Sequence, residues 1–256
     1  MVKGLYTAST GMVNEQRRVD ILSNNLANSA TTGYKKEGST SEAFKDVLAV
    51  KIKDSSEGYV HRRIGAMNMG VKIGEVYTDY SQGPFHETGN ALDLGLSGQG
   101  FFAVEFTNKK GETSVKYTRD GNFTINTNCE VVNKNGDYLL DTNGNHIKLD
   151  WTQPIEIDRN GNIRQNDAPV TTIQIADFEN YDYLEKYGEN YYTPLDGATE
   201  VESTAQVYSG YLESSNVQVV QEMVDLINFQ RAYESNQKMI QAFDETLGKA
   251  VELGKL

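Results

Sequence analysis

A single cysteine, Cys129, occurs in 256 residues, so an intrachain disulfide is excluded, as is a zinc site of the usual multi-cysteine kind. Positive charge is also scarce: 24 basic against 36 acidic residues leave a formal charge of -12. Affinity for a phosphate backbone comes from lysines and arginines displacing counterions, so nucleic acid is not expected as a partner. No apolar run approaches the ~20 residues of a membrane span, and residues 1–10 lack the charged start, apolar stretch and cleavage site of a secretory signal. Neither membrane insertion nor a cleavable signal peptide is expected.

The motifs of catalysis and metal binding are thin as well. His61, His86 and His146 form no H-E-x-x-H arrangement, and no serine lies in G-x-S-x-G. "DTNGN" at 141 and "DRNGN" at 158 have the oxygen-rich look of calcium loops. Counted from Asp141, however, an EF-hand requires glycine and glutamate where the chain has His146 and Thr152, and counted from Asp158 it meets Ile163 and Pro169. "SGQGFFA" sets Gly98, Gly100 and Ala103 on a dinucleotide-binding spacing, but that motif needs a strand running into a helix. Here "FFAVEF" alternates as a strand, and a hairpin between "ALDLGL" and "FFAVEF" is expected. The tyrosines of "YDYLEKYGENYYTP" read as packing rather than a carbohydrate-stacking surface. No catalytic residue, cofactor or metal is assigned.

Periodicity is what the chain has in quantity. Leu5, Met12, Val19 and Leu26 recur every seven residues, with Ala8 and Leu22 offset by three, while Asn14, Gln16, Arg17, Arg18 and Asp20 take the other faces. Val219, Leu226, Tyr233, Ile240 and Leu247 repeat that interval at the far end, joined by Phe229, Phe243 and Ala250. Ser214, Ser215 or Asn216 is a suitable N-cap for the second helix, and Gly248 or Gly254 a suitable end. A stripe so narrow needs a partner helix, from the other terminus or from a neighbouring subunit. Between the helices, short alternating runs are punctuated by Asp120-Gly121, Asn135-Gly136, Asn143-Gly144 and Asn160-Gly161, pairs that supply the positive φ of tight hairpins.

The fold class expected is α+β: N- and C-terminal helices forming a coiled-coil-like helical domain around a central antiparallel all-β domain. Its parts are an N-terminal helix and turn (1–36), an extended or conditionally ordered connector (37–69), the β domain (70–208) and a C-terminal helix (209–256).

"LYTASTGM" at 5–12 and "QRRVDILSNNLANSATTGYK" at 16–35 resemble the N-terminal signature of the flagellar rod and hook proteins. "GYLESSNVQVVQEMVDLINFQRAYESNQKMIQAFDETL", 210–247, is similar to that family's C-terminal signature, and "TGNALDLGLSGQGFFAVE" with "YTRDGNFTINTN" to its β domain. Tyr34 stands where phenylalanine is common, Ser23 where alanine is common, and Cys129 near a glycine turn. Chain length and a modest middle domain favour a rod protein over the longer hook protein.

The resemblance implies a structural, non-enzymatic subunit of the axial rod in the flagellar basal body, exported by the flagellar type III apparatus. Its partners would be copies of itself and other axial rod and hook proteins, with the terminal helices packed as an inner tube and the β domain outside it. The alternatives are a hook or hook-like axial protein, or a secreted carbohydrate-binding, wall-associated β module. Candidate subunit-interface residues are Leu5, Met12, Val19, Leu22 and Leu26 on the first helix and Val219, Leu226, Tyr233, Ile240 and Leu247 on the last. Asn24 and Asn25 are expected to fix register at a subunit contact, and Asn28 to cap the helix and turn the chain outward.

Overall fold

The seven-residue spacing of both ends gives two long helices, α1 (Val2–Ala27) and α2 (Val219–Leu253). The computed structural model describes residues 2–50, 63–166, 168–188 and 190–254. Its architecture is α+β, with antiparallel strands between the terminal helices. Two compact units divide the chain: residues 1–27, 37–79 and 218–256 form the first, residues 28–36 and 80–217 the second.

In the first unit α1 and α2 pack antiparallel, Gly4 meeting Phe243 and Asn25 meeting Glu222. α2 begins one turn later than its serines suggested, with Gln218 at the N-cap. Ser214, Ser215 and Asn216 do not cap it; two of their side chains are engaged elsewhere: Ser215 Oγ accepts from the Val217 N–H at 3.3 Å and Asn216 Oδ1 from the Lys36 N–H at 2.8 Å. Glu222 lies in the first turn, where a carboxylate is favoured by the helix dipole. Gly254 ends the helix, its N–H reaching the Ala250 carbonyl at 3.2 Å.

Most of the described part of residues 37–69 is strand. Glu37–Ala43 pairs antiparallel with Val71–Thr78, with a register shift between Ser39 and Ser41, and Val47–Val50 pairs with Arg63–Met67. Residues 51–62 of the expected connector lie outside the described residues. Asn14, read as a polar-face residue, is buried against the first of these strands and donates to Ser41 Oγ at 3.1 Å.

The second unit is built on a nine-stranded antiparallel sheet centred on Phe101–Thr107, which pairs with Thr113–Thr118, Tyr138–Leu139 and Ile175–Phe178. Alternation along Phe101–Thr107 feeds two cores. Phe102 and Val104 pack with Leu94, Phe123, Leu139 and Ile163, whereas Phe101 and Ala103 pack with Tyr117, Phe178 and Tyr192. Tyr181 and Tyr192 belong to the second core, their ring centroids 5.7 and 5.2 Å from Phe101.

The expected hairpin before "FFAVEF" is absent: Leu94–Ser97 pairs with Gln206–Ser209, so Gly98 and Gly100, both at positive φ, carry the chain from one sheet to another. Of the four turn pairs, Gly136, Gly144 and Gly161 take positive φ and Gly121 does not. At Gly121 the Leu94 carbonyl oxygen occupies the place of a Cβ, so close approach rather than backbone handedness selects glycine. Cys129 itself adopts φ 63, closing a turn in which Asn126 Oδ1 accepts from the Asn128 and Glu130 N–H groups at 2.8 and 3.1 Å.

Candidate assembly surfaces

The α1–α2 seam is a series of layers. A Cβ on Gly4 would stand 2.8 Å from the Phe243 ring, and one on Gly11 would stand 3.1 Å from the Asn236 amide. The Arg18 guanidinium lies 3.8 Å from the Phe229 ring centroid, and Asn25 Nδ2 donates to Glu222 Oε2 at 3.3 Å. Positions 4, 11, 18 and 25 thus meet 243, 236, 229 and 222, one heptad at a time in opposite directions. Ala8 and Leu22, four residues after Gly4 and Arg18, are buried and complete the alternating four-and-three spacing of a coiled-coil seam.

Leu5, Met12, Val19 and Leu26 are half-buried and sit one residue, about 100° around the helix, from these contact positions. On α2, Leu226, Tyr233 and Ile240 are half-buried, while Val219 and Leu247 are exposed. Arg18, placed by its charge on a polar face, is a contact residue because its planar guanidinium covers an aromatic ring.

The three asparagines separate. Asn24 is exposed on α1. Asn25 is fully buried, and besides donating to Glu222 it donates to the Glu37 carbonyl at 2.8 Å and accepts the Glu37 N–H at 3.0 Å. Its amide therefore ties both helices and the first strand of its own chain. Asn28 accepts from the Thr31 N–H at 3.1 Å and from Thr31 Oγ1 at 3.3 Å, beginning a turn that ends at Gly33, φ 67.

A second apolar face lies on α2 outside the expected stripe. Val220, Met223, Val224 and Ile227 follow helical three-and-four spacing and are all exposed, Val220 to 76% and Ile227 to 47%. Met239 and Val251 are exposed further along, and Tyr6 and Val13 on α1. The spacing was visible in "VVQEMVDLI", but the seven-residue repeat beside it was the louder signal. Chemically, these faces can do one thing: leave water against another apolar surface.

Among the described residues, no three His, Cys, Asp or Glu side chains gather as a metal site, and no helix is long and apolar enough to cross a membrane. His146 instead stacks on Tyr138 at 4.2 Å, with Nε2 3.1 Å from Glu105. Asp141 Oδ1 accepts from the Asn143 and Asn145 N–H groups at 2.9 and 2.8 Å, an Asx-turn hairpin.

Three family models match: "Flagella basal body rod protein" over residues 5–35, "Flagellar hook protein FlgE/F/G D1 domain" over 95–167, and "Flagellar basal body rod FlgEFG protein C-terminal" over 208–253. The chain is 33% identical to the flagellar basal-body rod protein FlgG of Bacillus subtilis, across 99% of each chain. It is 34% identical to the basal-body rod protein FlgF of Caulobacter vibrioides, across 100% of each. To the hook-basal body complex protein FlhO of Bacillus subtilis it is 30% identical, again across 100% of each.

Proposed function

The chain belongs to the flagellar basal-body rod protein family, and we propose that, as a structural subunit of the rod, it polymerises through α1 and α2 into the drive shaft between motor and hook. The observation that supports this use of the helices is the exposed face of Val220, Met223, Val224 and Ile227. Apolar area left in water costs roughly 25 cal/mol per Å², so a face of this kind is stabilised by a cover. The cover is a helix of another copy. A contact between unlike faces, repeated with a rotation that does not close, produces a helical filament, and many such contacts make it stiff.

The half-buried residues Leu5, Met12, Val19, Leu26, Leu226, Tyr233 and Ile240, with Val219 and Leu247, form the flank of the same interface. The helices α1 and α2 act as the axial part, and the sheets within residues 80–217 as the β part. Other axial rod and hook proteins continue the stack at either end. The subunit reaches the basal body through the flagellar type III export apparatus, and its role there is mechanical rather than catalytic.

Ile227→Asp tests the reading, because it places a charge on the exposed face and leaves the α1–α2 layers untouched. The purified variant should keep wild-type helicity and unfolding midpoint, while cells carrying it lose rod assembly and motility. Rods built normally from Ile227→Asp would reject α2 as the polymerising surface.

A further inference from the structure

Three charged side chains are buried together in the second unit, and they come from widely separated parts of the chain. Lys35 Nζ lies 2.6 Å from Glu213 Oε1 and Arg119 Nη1 lies 3.3 Å from Glu213 Oε2, with none of the three residues more than 4% exposed. Lys35 also donates to the Ser81 carbonyl at 2.8 Å, and Arg119 to the Gly98 carbonyl at 2.7 Å. The Gly83 N–H donates to Glu213 Oε1 at 2.9 Å. One carboxylate thus holds two cations and a backbone donor.

Glu213 arrives on a segment that completes the unit in other ways. Gln206–Ser209 pairs with Leu94–Ser97, and Tyr211–Glu213 pairs with Phe85–Glu87. Val207 is buried in the first core with Leu94, Leu96 and Ile163. The Glu213 carbonyl accepts the Gly33 N–H at 2.8 Å, and the Ser214 N–H reaches the Pro84 carbonyl at 2.9 Å. Each of these partners precedes the segment in the chain.

We infer that residues 206–217 are a strap on whose docking closure of the second unit waits, with Glu213 as its bolt. Before Glu213 is in place, burying Lys35 and Arg119 brings two positive charges out of water without the carboxylate that bridges them, a cost that core contacts elsewhere must overcome. Packing of the central sheet around those cations is therefore coupled to the strap. A buried ion cluster is often no more stable than an apolar one of similar volume, so what the charges add is order of events rather than stability. α2 begins at Val219, just beyond the strap. The strap rests on contacts within the second unit and is independent of how the helices polymerise.

The test uses three full-length chains: wild type, Glu213→Gln, and the apolar replacement Lys35→Met/Arg119→Met/Glu213→Leu. Equilibrium unfolding is read by protease cleavage within the second unit, and refolding by pulsed hydrogen exchange. Glu213→Gln should raise the unfolded-to-folded ratio of the second unit on the order of a hundredfold, and the triple variant should return it to within about tenfold of wild type. In wild type, amides of Phe101–Thr107 and Thr113–Thr118 should gain protection no earlier than those of Gln206–Ser209. In the triple variant they should gain it first. A rise of less than about tenfold in Glu213→Gln, a triple variant as unfolded as Glu213→Gln, or central strands protected ahead of the strap in wild type would each overturn the inference. Failure of any of these leaves the Ile227→Asp assembly test unaffected, so the two readings fall separately.

Discussion

Asn25 and Glu222, 197 residues apart, share a 3.3 Å hydrogen bond at a point where both side chains are buried. The pair joins the last turn of α1 to the first turn of α2, and the same amide holds the Glu37 backbone on both its N–H and its carbonyl. An amide can satisfy such a site because it donates and accepts at once, which a carboxylate or an alkyl group cannot.

Asn25→Ala should therefore destabilise the first unit by roughly 1–3 kcal/mol, since it removes a donor from the buried carboxylate and leaves the Glu37 backbone groups without their side-chain partner. Asn25→Ala/Glu222→Met should recover part of that loss, because removing both members avoids burying a charge beside an alkyl group. Thermal unfolding followed by helix signal checks both. Equal losses in the single and double variants would mean that the Glu37 contacts, not the Glu222 bond, dominate the site.

Cys129→Gly should raise the stability of the second unit by up to about 1 kcal/mol. A non-glycine residue in the left-handed region costs roughly 1–2 kcal/mol, and glycine returns part of that gain as unfolded-chain entropy. The turn's hydrogen bonds come from Asn126 and are kept in the variant. A urea midpoint at or below the wild-type value would show that the Cys129 side chain contributes more than its backbone strain costs.

These two sites mark what could be read from residues alone and what could not. The α2 line Leu226, Tyr233, Ile240 was legible because large apolar residues announce a heptad, and so was its companion Phe229 and Phe243. The α1 contact line was displaced by one residue, because Gly4 and Gly11 make room for α2 and carry no hydrophobic signal, while Leu5 and Met12 beside them do. Glu37–Ala43 is a strand without apolar alternation, held by pairing to Val71–Thr78, so its sequence reads as a connector. The contacts among Lys35, Arg119 and Glu213 span most of the chain, and no local spacing encodes them.

Acid should act on two aspartates of the second unit in opposite directions. Burial pushes the Asp141 carboxyl up, but hydrogen bonds from the Asn145 and Asn143 N–H groups and from Thr171 outweigh it and hold the carboxyl below its ordinary value. Its contribution is present above the unfolded-state pKa of about 3.9 and is lost as pH falls through the folded value. Burial raises Asp120, only partly opposed by hydrogen bonds from Thr32 and Asn122. Its charged form is a penalty that is relieved as pH falls through the folded value and is gone below the unfolded one. Asp141→Asn should therefore lose stability at pH 7, and Asp120→Asn should match or exceed wild type there, with both approaching wild type in acid. Urea midpoints from pH 7 down to acid give the comparison, and a stability gain at pH 7 for Asp141→Asn would contradict the assignment.

The α1–α2 layers also predict which cysteines can be joined. A Cβ on Gly11 stands 3.5 Å from Asn236 Cγ and 3.1 Å from Nδ2, so cysteines at 11 and 236 would face each other across the seam, within reach of a disulfide if their Cβ atoms settle about 3.8 Å apart. A slip of one heptad moves α2 by about 10.5 Å along α1 and would bring Phe229 opposite Gly11 instead. That register is chemically plausible, because glycine accepts the ring and Arg18 would then face Glu222. The buried Asn25–Glu222 bond is what stands against it. In a Cys129→Ser background, Gly11→Cys/Asn236→Cys should oxidise to a cross-linked monomer, and Gly11→Cys/Phe229→Cys should not. Oxidation within assembled rods should give the same pattern if the hairpin enters the shaft intact. A Gly11→Cys/Asn236→Cys product that runs as a dimer from rods but as a monomer from free subunit would mean that assembly exchanges α2 between neighbours rather than stacking finished hairpins.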